Sequence, residues 1–230
     1  MGFPAPNKDA AFGPAKLSVV AHELTQPLSA ALGSVLTIKE RNPGELDEAT
    51  YGRLLDATIR NLEQLQALLD NLRAFSEIEA GQLEIQTRTV WIEDLFRETH
   101  EDFGDPSSGT RTIFTCEPGL QLSVDLVLFR QLLLNIINNA AKFSPKGSTI
   151  TVEAHREEDL AVFTVIDEGG GFPPEEAGRI FGKSVRLQPG KKGLGVGLYV
   201  ARTIVEAHGG EIWAENINGG ARFSFTIPAP

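Results

Sequence analysis

The 230-residue sequence predicts two domains of different class. The first is an all-α helical hairpin that a dimer would complete as a four-helix bundle. The second is an α/β two-layer sandwich with a mixed sheet. Three observations carry this expectation. Apolar residues recur at helical spacing up to Gly81. After Gly81 the texture changes to short alternating or β-branched runs. Those later strands and helices do not alternate strictly, which favours a mixed sheet with helices on one face over a doubly wound parallel one.

The elements follow in order. Residues 1–15 read as a loose Gly-, Pro- and Ala-rich leader or linker. From about Lys16 to Glu40, Leu17, Val20, Leu24, Leu28, Ala31, Val35 and Ile38 mark an apolar stripe by steps of three and four. Arg41-Asn42-Pro43-Gly44 breaks it. Leu55, Ile59, Leu62, Leu65, Leu69, Leu72 and Phe75 mark a second helix that runs to about Ala80 and stops at Gly81, a residue suited to the position after a helix end. Two such helices with a short connection form a hairpin over 16–81, and a second copy of the chain is the natural way to finish its core. Over 82–230, strands are expected at Leu83–Val90, Thr112–Cys116, Leu120–Val124, Thr149–Ala154, Leu160–Ile166, Glu211–Ala214 and Ala221–Ile227. Helices are expected near 91–103, 125–143, 174–181 and 195–208.

Composition narrows the function classes. A formal net charge of -10 disfavours a nucleic-acid partner, which calls for clustered Lys and Arg. No run is long and apolar enough for a membrane helix, so this segment is expected to make no direct membrane contact. A single cysteine, Cys116, excludes an intrachain disulfide and suits a reducing compartment.

Four stretches could carry chemistry. Asp167-Glu168-Gly169-Gly170-Gly171-Phe172 puts an aspartate and three glycines at a strand end, where backbone can approach a flat or phosphorylated ligand. Gly193-Leu194-Gly195-Val196-Gly197 leads into a helix, and amides at a helix start suit an anion. It is neither a Walker loop nor a dinucleotide fingerprint. Asn135, Asn139 and Lys142 share one face of a helix; oxygen ligands with one lysine suit Mg²⁺ and phosphate. In Val20-Ala21-His22-Glu23-Leu24-Thr25-Gln26-Pro27-Leu28, an imidazole able to act as nucleophile near neutral pH stands beside a carboxylate. Pro27 removes the helical hydrogen bond to Glu23 O, so a bend is expected beside His22. Each stretch alone has a plain structural alternative: a glycine turn, a glycine linker, a polar helix face, a surface histidine.

Taken in order, the four resemble the catalytic core of a sensor histidine kinase. HELTQPL is similar to the phosphoacceptor box of the HisKA-type dimerisation domain. LLLNIINNAAKFSPKG resembles the N box, DEGGGF the G1 box and GLGVGL the G2 box of the GHKL (Bergerat) ATPase fold. Arg179-Ile180-Phe181 stands where that family has its F box. The resemblance covers about residues 15–228 and implies an ATP-dependent, autophosphorylating protein-histidine kinase. It implies that His22 takes the γ-phosphoryl group, Glu23 activates it, and Asn139 binds Mg²⁺. Asn135 is the other N-box asparagine and Lys142 contacts phosphate. Asp167 bonds the adenine amino group, Gly169 and Gly171 border its seat, and Gly193, Gly195 and Gly197 line the triphosphate end. Residues between Phe172 and Gly193 correspond to the family's lid. The implied partners are a second copy of the chain and a response-regulator receiver domain docking around Leu28 to Val35. The implied setting is the cytoplasm, as part of a larger sensor protein.

Two departures stand out. Gln26 occupies the position, four residues after the histidine, that is commonly Thr or Asn and supports dephosphorylation of the partner; phosphatase activity stays open. The F box keeps Phe181 but continues Gly182-Lys183-Ser184. Two other readings therefore remain: a histidine phosphotransfer protein, or a dimeric adaptor with a catalytically weak ATPase domain.

Overall fold

The structure is a computed structural model that describes residues 14–41, 46–103, 109–183 and 194–229. Residues 1–13 of the expected leader, the connection at 42–45, and residues 184–193, which include Gly193 and half of the expected lid, lie outside the described residues; residues 14 and 15 already belong to the first helix. The chain divides into two compact units after Gln82.

The first unit is a pair of helices, α1 (Pro14–Glu40) and α2 (Glu48–Glu79), packed on each other. Asp47 caps α2 by accepting the Thr50 N–H at 2.6 Å. At its other end Gly81 adopts φ 66°, Gly81 N–H donates to Ile78 O and Gln82 N–H to Glu77 O, so two end carbonyls are satisfied by a left-handed glycine, as the sequence requires. The helix α1 runs unbroken through Pro27. The apolar residues of the two helices are only partly covered. Val20 and Ala31 are buried, whereas Leu28, Leu32, Val35 and Leu36 are exposed; on α2, Leu55, Ile59, Leu62 and Leu69 are also exposed.

The second unit is a five-stranded mixed sheet carrying helices. The strands are β2 (Arg111–Cys116), β4 (Thr149–Glu157), β5 (Leu160–Ile166), β7 (Gly220–Pro228) and β6 (Ile212–Ile217), in that spatial order. β2 pairs parallel to β4; every other pairing is antiparallel. A separate ribbon joins β1 (Arg88–Trp91) to β3 (Gln121–Val124). The helices are α3 (Ile92–Phe103), α4 (Leu126–Phe143) and α5 (Gly197–Ala207). On α4, Phe129, Leu132, Leu133, Ile136 and Ile137 are wholly buried. Phe129 sets its ring edge-on to Phe163 of β5 at 5.2 Å and to Phe225 of β7 at 5.9 Å, and Phe163 stacks on Phe225 at 4.7 Å. That aromatic cluster fixes α4 across the centre of the sheet.

Two expected elements differ. The strand expected at Leu83–Val90 pairs only from Arg88, because the Gln86 N–H goes to the Asp125 carboxylate at 2.9 Å instead of to a ladder. The helix expected near 174–181 is a 3₁₀ turn at Pro174–Glu176 followed by further turns. Pro173 and Pro174 bring no N–H, Gly178 disfavours helix, and the amides of Ala177, Arg179 and Gly182 each bond three residues back.

Candidate functional site

Asp167 directly follows β5 and is 4% exposed. Its Oδ1 accepts the Gly169 N–H at 2.7 Å and the Ala221 N–H at 3.1 Å, while its own N–H donates to Ala221 O at 3.0 Å. Among the described residues Oδ2 has no partner. Burial pushes the Asp167 carboxyl above the usual carboxylate range, against the lowering pull of the Gly169 and Ala221 amides. A fixed carboxylate with one oxygen spent on the protein and one spare is an acceptor waiting for a donor.

The glycines around it are needed for close approach. A Cβ on Gly169 would lie 2.9 Å from Asp167 Oδ1 and 3.0 Å from the Phe143 carbonyl carbon and oxygen, so the turn sits directly on the C-terminal end of α4. Gly170 and Gly171 both have φ 79°. Phe181 of the F box, which the resemblance places among the cofactor-binding residues, is buried, its ring 6.3 Å from that of Phe223.

The N-box face lies along α4. Asn135 is 7% exposed, and among the described residues its Nδ2 has no hydrogen-bond partner. Asn139, one turn on, is half-buried, and its amide makes no hydrogen bond to a described residue. Lys142 is exposed, with Nζ 5.0 Å from the centroid of the Phe143 ring. Gly197, the first residue of α5, comes so near Asn135 that a Cβ would stand 3.3 Å from its Oδ1. Val196 gives α5 no side-chain cap, and Gly197 opens the helix, a position whose amide suits an anion. Gly195 turns the chain into that helix with φ 69°. From Asn135 to Phe143 is about 12 Å along α4, on the scale of an extended nucleoside triphosphate. The structure thus sets the Asp167–Gly169 turn against the C-terminal end of α4 and Gly197 against Asn135 at its middle, with Asn139 one turn on from Asn135 along the helix.

In the first unit His22 is exposed and Glu23 buried, consistent with neighbouring positions on a helix pointing different ways. Gln26 Nε2 lies 3.1 Å from His22 Nε2.

Four residues of the second unit escaped the sequence reading. Asn216 and Gly220 on the β6–β7 hairpin touch the glycine turn. Asp125 and His208 join the start of α4 to the end of α5: the Asp125 N–H donates to His208 Nε2 at 3.0 Å, and His208 Nδ1 donates to Ile204 O at 2.8 Å. In sequence, Asn216 and Gly220 merge into an Asn-Gly turn signal, and His208 into a helix-end signal before Gly209.

No group of three or more His, Cys, Asp or Glu suited to a metal occurs among the described residues.

Comparison with known proteins agrees with this architecture. Residues 17–81 match the His Kinase A (phospho-acceptor) domain, and residues 124–230 match the histidine kinase-, DNA gyrase B- and HSP90-like ATPase. The chain belongs to the sensor histidine kinases, of which it carries the catalytic core. It is 33% identical over 219 residues to the sensor protein KdpD of Clostridium acetobutylicum, covering 92% of this chain and 24% of that protein. It is 32% identical to the adaptive-response sensory kinase SasA of Synechococcus sp. (strain JA-2-3B'a(2-13)), covering 92% of this chain and 58% of that protein. The full-length ShkA structure in complex with AMPPNP superposes with TM-score 0.63 at 25% identity, covering 94% of this chain and 46% of that one. The chain thus spans a quarter to three fifths of the curated relatives it matches. None of the described helices is long and apolar enough to cross a membrane.

Proposed function

We propose that this chain is an ATP-dependent, autophosphorylating protein-histidine kinase whose phosphoacceptor is His22. The observation that carries the reading is an exposed imidazole in the phospho-acceptor domain, on the same chain as an ATPase-type domain whose buried Asp167 offers a spare acceptor oxygen.

Asp167 Oδ2 accepts from the adenine amino group, and Gly169 lets the flat base lie close to the backbone. The Gly195 and Gly197 amides at the start of α5, and the orphaned Nδ2 of Asn135, donate to phosphate oxygens. Lys142 adds positive charge. Asn139 holds Mg²⁺, which when bound neutralises charge on the transferring phosphoryl group. His22 Nε2 attacks phosphorus; the Nε2–P bond forms as the bond to the leaving ADP oxygen breaks. Glu23 takes the proton released from Nδ1. The phosphoryl group then passes to a response-regulator aspartate, with the chain acting as a homodimer in the cytoplasm.

The test is autophosphorylation with γ-labelled ATP and Mg²⁺, comparing the native chain with His22→Gln and Asn139→Ala. An acid-labile, base-stable label lost in both variants is the expected result. Nucleotide binding without label would instead favour the adaptor, and no binding at all the phosphotransfer protein.

A further inference from the structure

Asp167–Phe172 is a segment that cannot hold its own shape. Three of its six residues are glycine, and two of them sit at φ 79°. Glycine loses more backbone freedom on ordering than any other residue and has no side chain to pin it. The segment must be held from outside, and both ends are held by one hairpin. At the start, the Asp167 N–H and Oδ1 bond the Ala221 backbone of β7. At the end, the Asn216 carboxamide of β6 takes Phe172 in a two-point grip: Oδ1 accepts the Phe172 N–H at 2.9 Å and Nδ2 donates to Phe172 O at 2.6 Å. Asn216 and Ala221 are direct cross-strand partners.

The surrounding glycines fit this arrangement. A Cβ on Gly171 would stand 2.5 Å from Asn216 Oδ1, so glycine there is what admits the carboxamide. A Cβ on Gly220 would stand 1.7 Å from Asp167 O, so the hairpin reaches the turn only because it too carries glycine.

We infer that Asn216 is a positioning residue of the nucleotide site, holding the Asp167–Phe172 turn so that the Asp167 carboxylate stays aimed at the base. The inference rests on the nucleotide site proposed above. Asn216 is exposed on an edge strand and contributes little to the core, so its effect should appear in binding rather than in folding.

The test is calorimetric titration of the full chain with AMPPNP, for the native protein, Asn216→Ala, Asp167→Ala and the double variant. Losing two hydrogen bonds to a turn should weaken binding by Asn216→Ala about three- to tenfold. The thermal transition should stay in place. In the Asp167→Ala background the same change should cost less than about twofold, because the group being positioned is gone. Unchanged affinity of Asn216→Ala, or an equal loss in both backgrounds, overturns the inference while leaving the nucleotide site intact. A native chain that does not bind AMPPNP removes the nucleotide site and the inference together. Should Asn216→Ala fail to fold, Asn216→Asp serves: it keeps the acceptor for the Phe172 N–H but turns an oxygen on Phe172 O. A folded Asn216→Asp with native affinity overturns the inference equally; a loss of at least about threefold sustains it.

Discussion

Gln26 stands one helical turn after His22, and its amide nitrogen lies 3.1 Å from His22 Nε2. An amide nitrogen can only donate, so Nε2 is the acceptor and the ring proton sits on Nδ1. Gln26 thereby selects the tautomer that has its lone pair on Nε2, and also occupies that lone pair. For Nε2 to attack phosphorus, the Gln26 contact has to open. An exposed neutral hydrogen bond is worth about 1 kcal/mol or less. Gln26→Ala is therefore expected to keep autophosphorylation and raise its initial rate by up to about threefold. Initial-rate labelling of the two proteins checks this. Abolished labelling would instead make Gln26 a required part of the kinase reaction.

Asp167 trades stability for recognition. Burial is the leading cause of its raised pKa. The folded state therefore favours the protonated acid. That contribution to stability is complete below the ordinary carboxylate pKa and is lost as pH rises through the raised folded value, so at neutral pH the ionised group is a cost. Both of its protein hydrogen bonds go to Oδ1, which an asparagine can supply equally well. Asp167→Asn should melt no lower than the native protein at neutral pH. It should nevertheless weaken ATP binding by about tenfold or more, since a donor then faces the adenine amino group. Binding to the native protein should also fail on acidification at a pH above the ordinary carboxylate range, as the acceptor takes a proton, and Asp167→Asn should lack that acid limb. Titrations with AMPPNP across the acid range, alongside thermal melts, check both halves.

What the sequence reveals and what it hides follow from the range of the interactions. Helix periodicity, the Gly81 stop and the strands at Leu160–Ile166 and Thr112–Cys116 are local patterns, and all appear within a residue or two of expectation. The Asn135, Asp167 and Gly197 positions were legible because their residue types are costly without a reason: asparagine in a helix core, aspartate in a buried strand end, glycine at a helix start. Asn216 was not legible. Its partner Phe172 lies 44 residues away, and nothing in Glu215-Asn216-Ile217 distinguishes a clamp from the approach to a turn. The expected strand at Leu83–Thr87 failed for the same reason, since a long-range carboxylate at Asp125 takes an amide that local pattern assigned to a ladder.

Asp125 is the junction that this reasoning exposes. Its Oδ1 accepts the Val127 and Leu128 N–H groups at 3.1 Å each, capping α4, while Oδ2 holds the Gln86 N–H at 2.9 Å. A helix cap is worth about 1 kcal/mol, and a bond from a carboxylate somewhat more. Asp125→Ala should destabilise the second unit by about 2 kcal/mol, and Asp125→Asn by less than about half of that, because the cap oxygen survives. Urea unfolding followed by tryptophan fluorescence measures this. Equal losses for the two variants would show that the charge, not the cap, matters.

The open apolar faces of α1 and α2 lead to the last prediction. Leu28, Leu32 and Val35 follow one another by four and three residues and are 51%, 55% and 44% exposed; Leu55, Ile59 and Leu62 on α2 repeat that spacing at 39%, 53% and 48%. Singly exposed leucines are ordinary, but two aligned stripes on adjacent helices are a surface with a partner. A two-fold axis places the same side chain in the interface twice, so one substitution acts twice. Burying a leucine is worth about 1.5–3 kcal/mol, and replacing it by a charge costs more still. Leu32→Glu should therefore weaken self-association by at least about 3 kcal/mol, or two orders of magnitude in dissociation constant. Light scattering at micromolar concentration should give a dimer for the native chain and a monomer for Leu32→Glu, with helicity retained. Gln64→Glu, on the exposed polar side of α2, should leave the dimer unchanged. A native chain that runs as a monomer would leave the stripes for a different partner and remove the four-helix bundle from the proposed kinase.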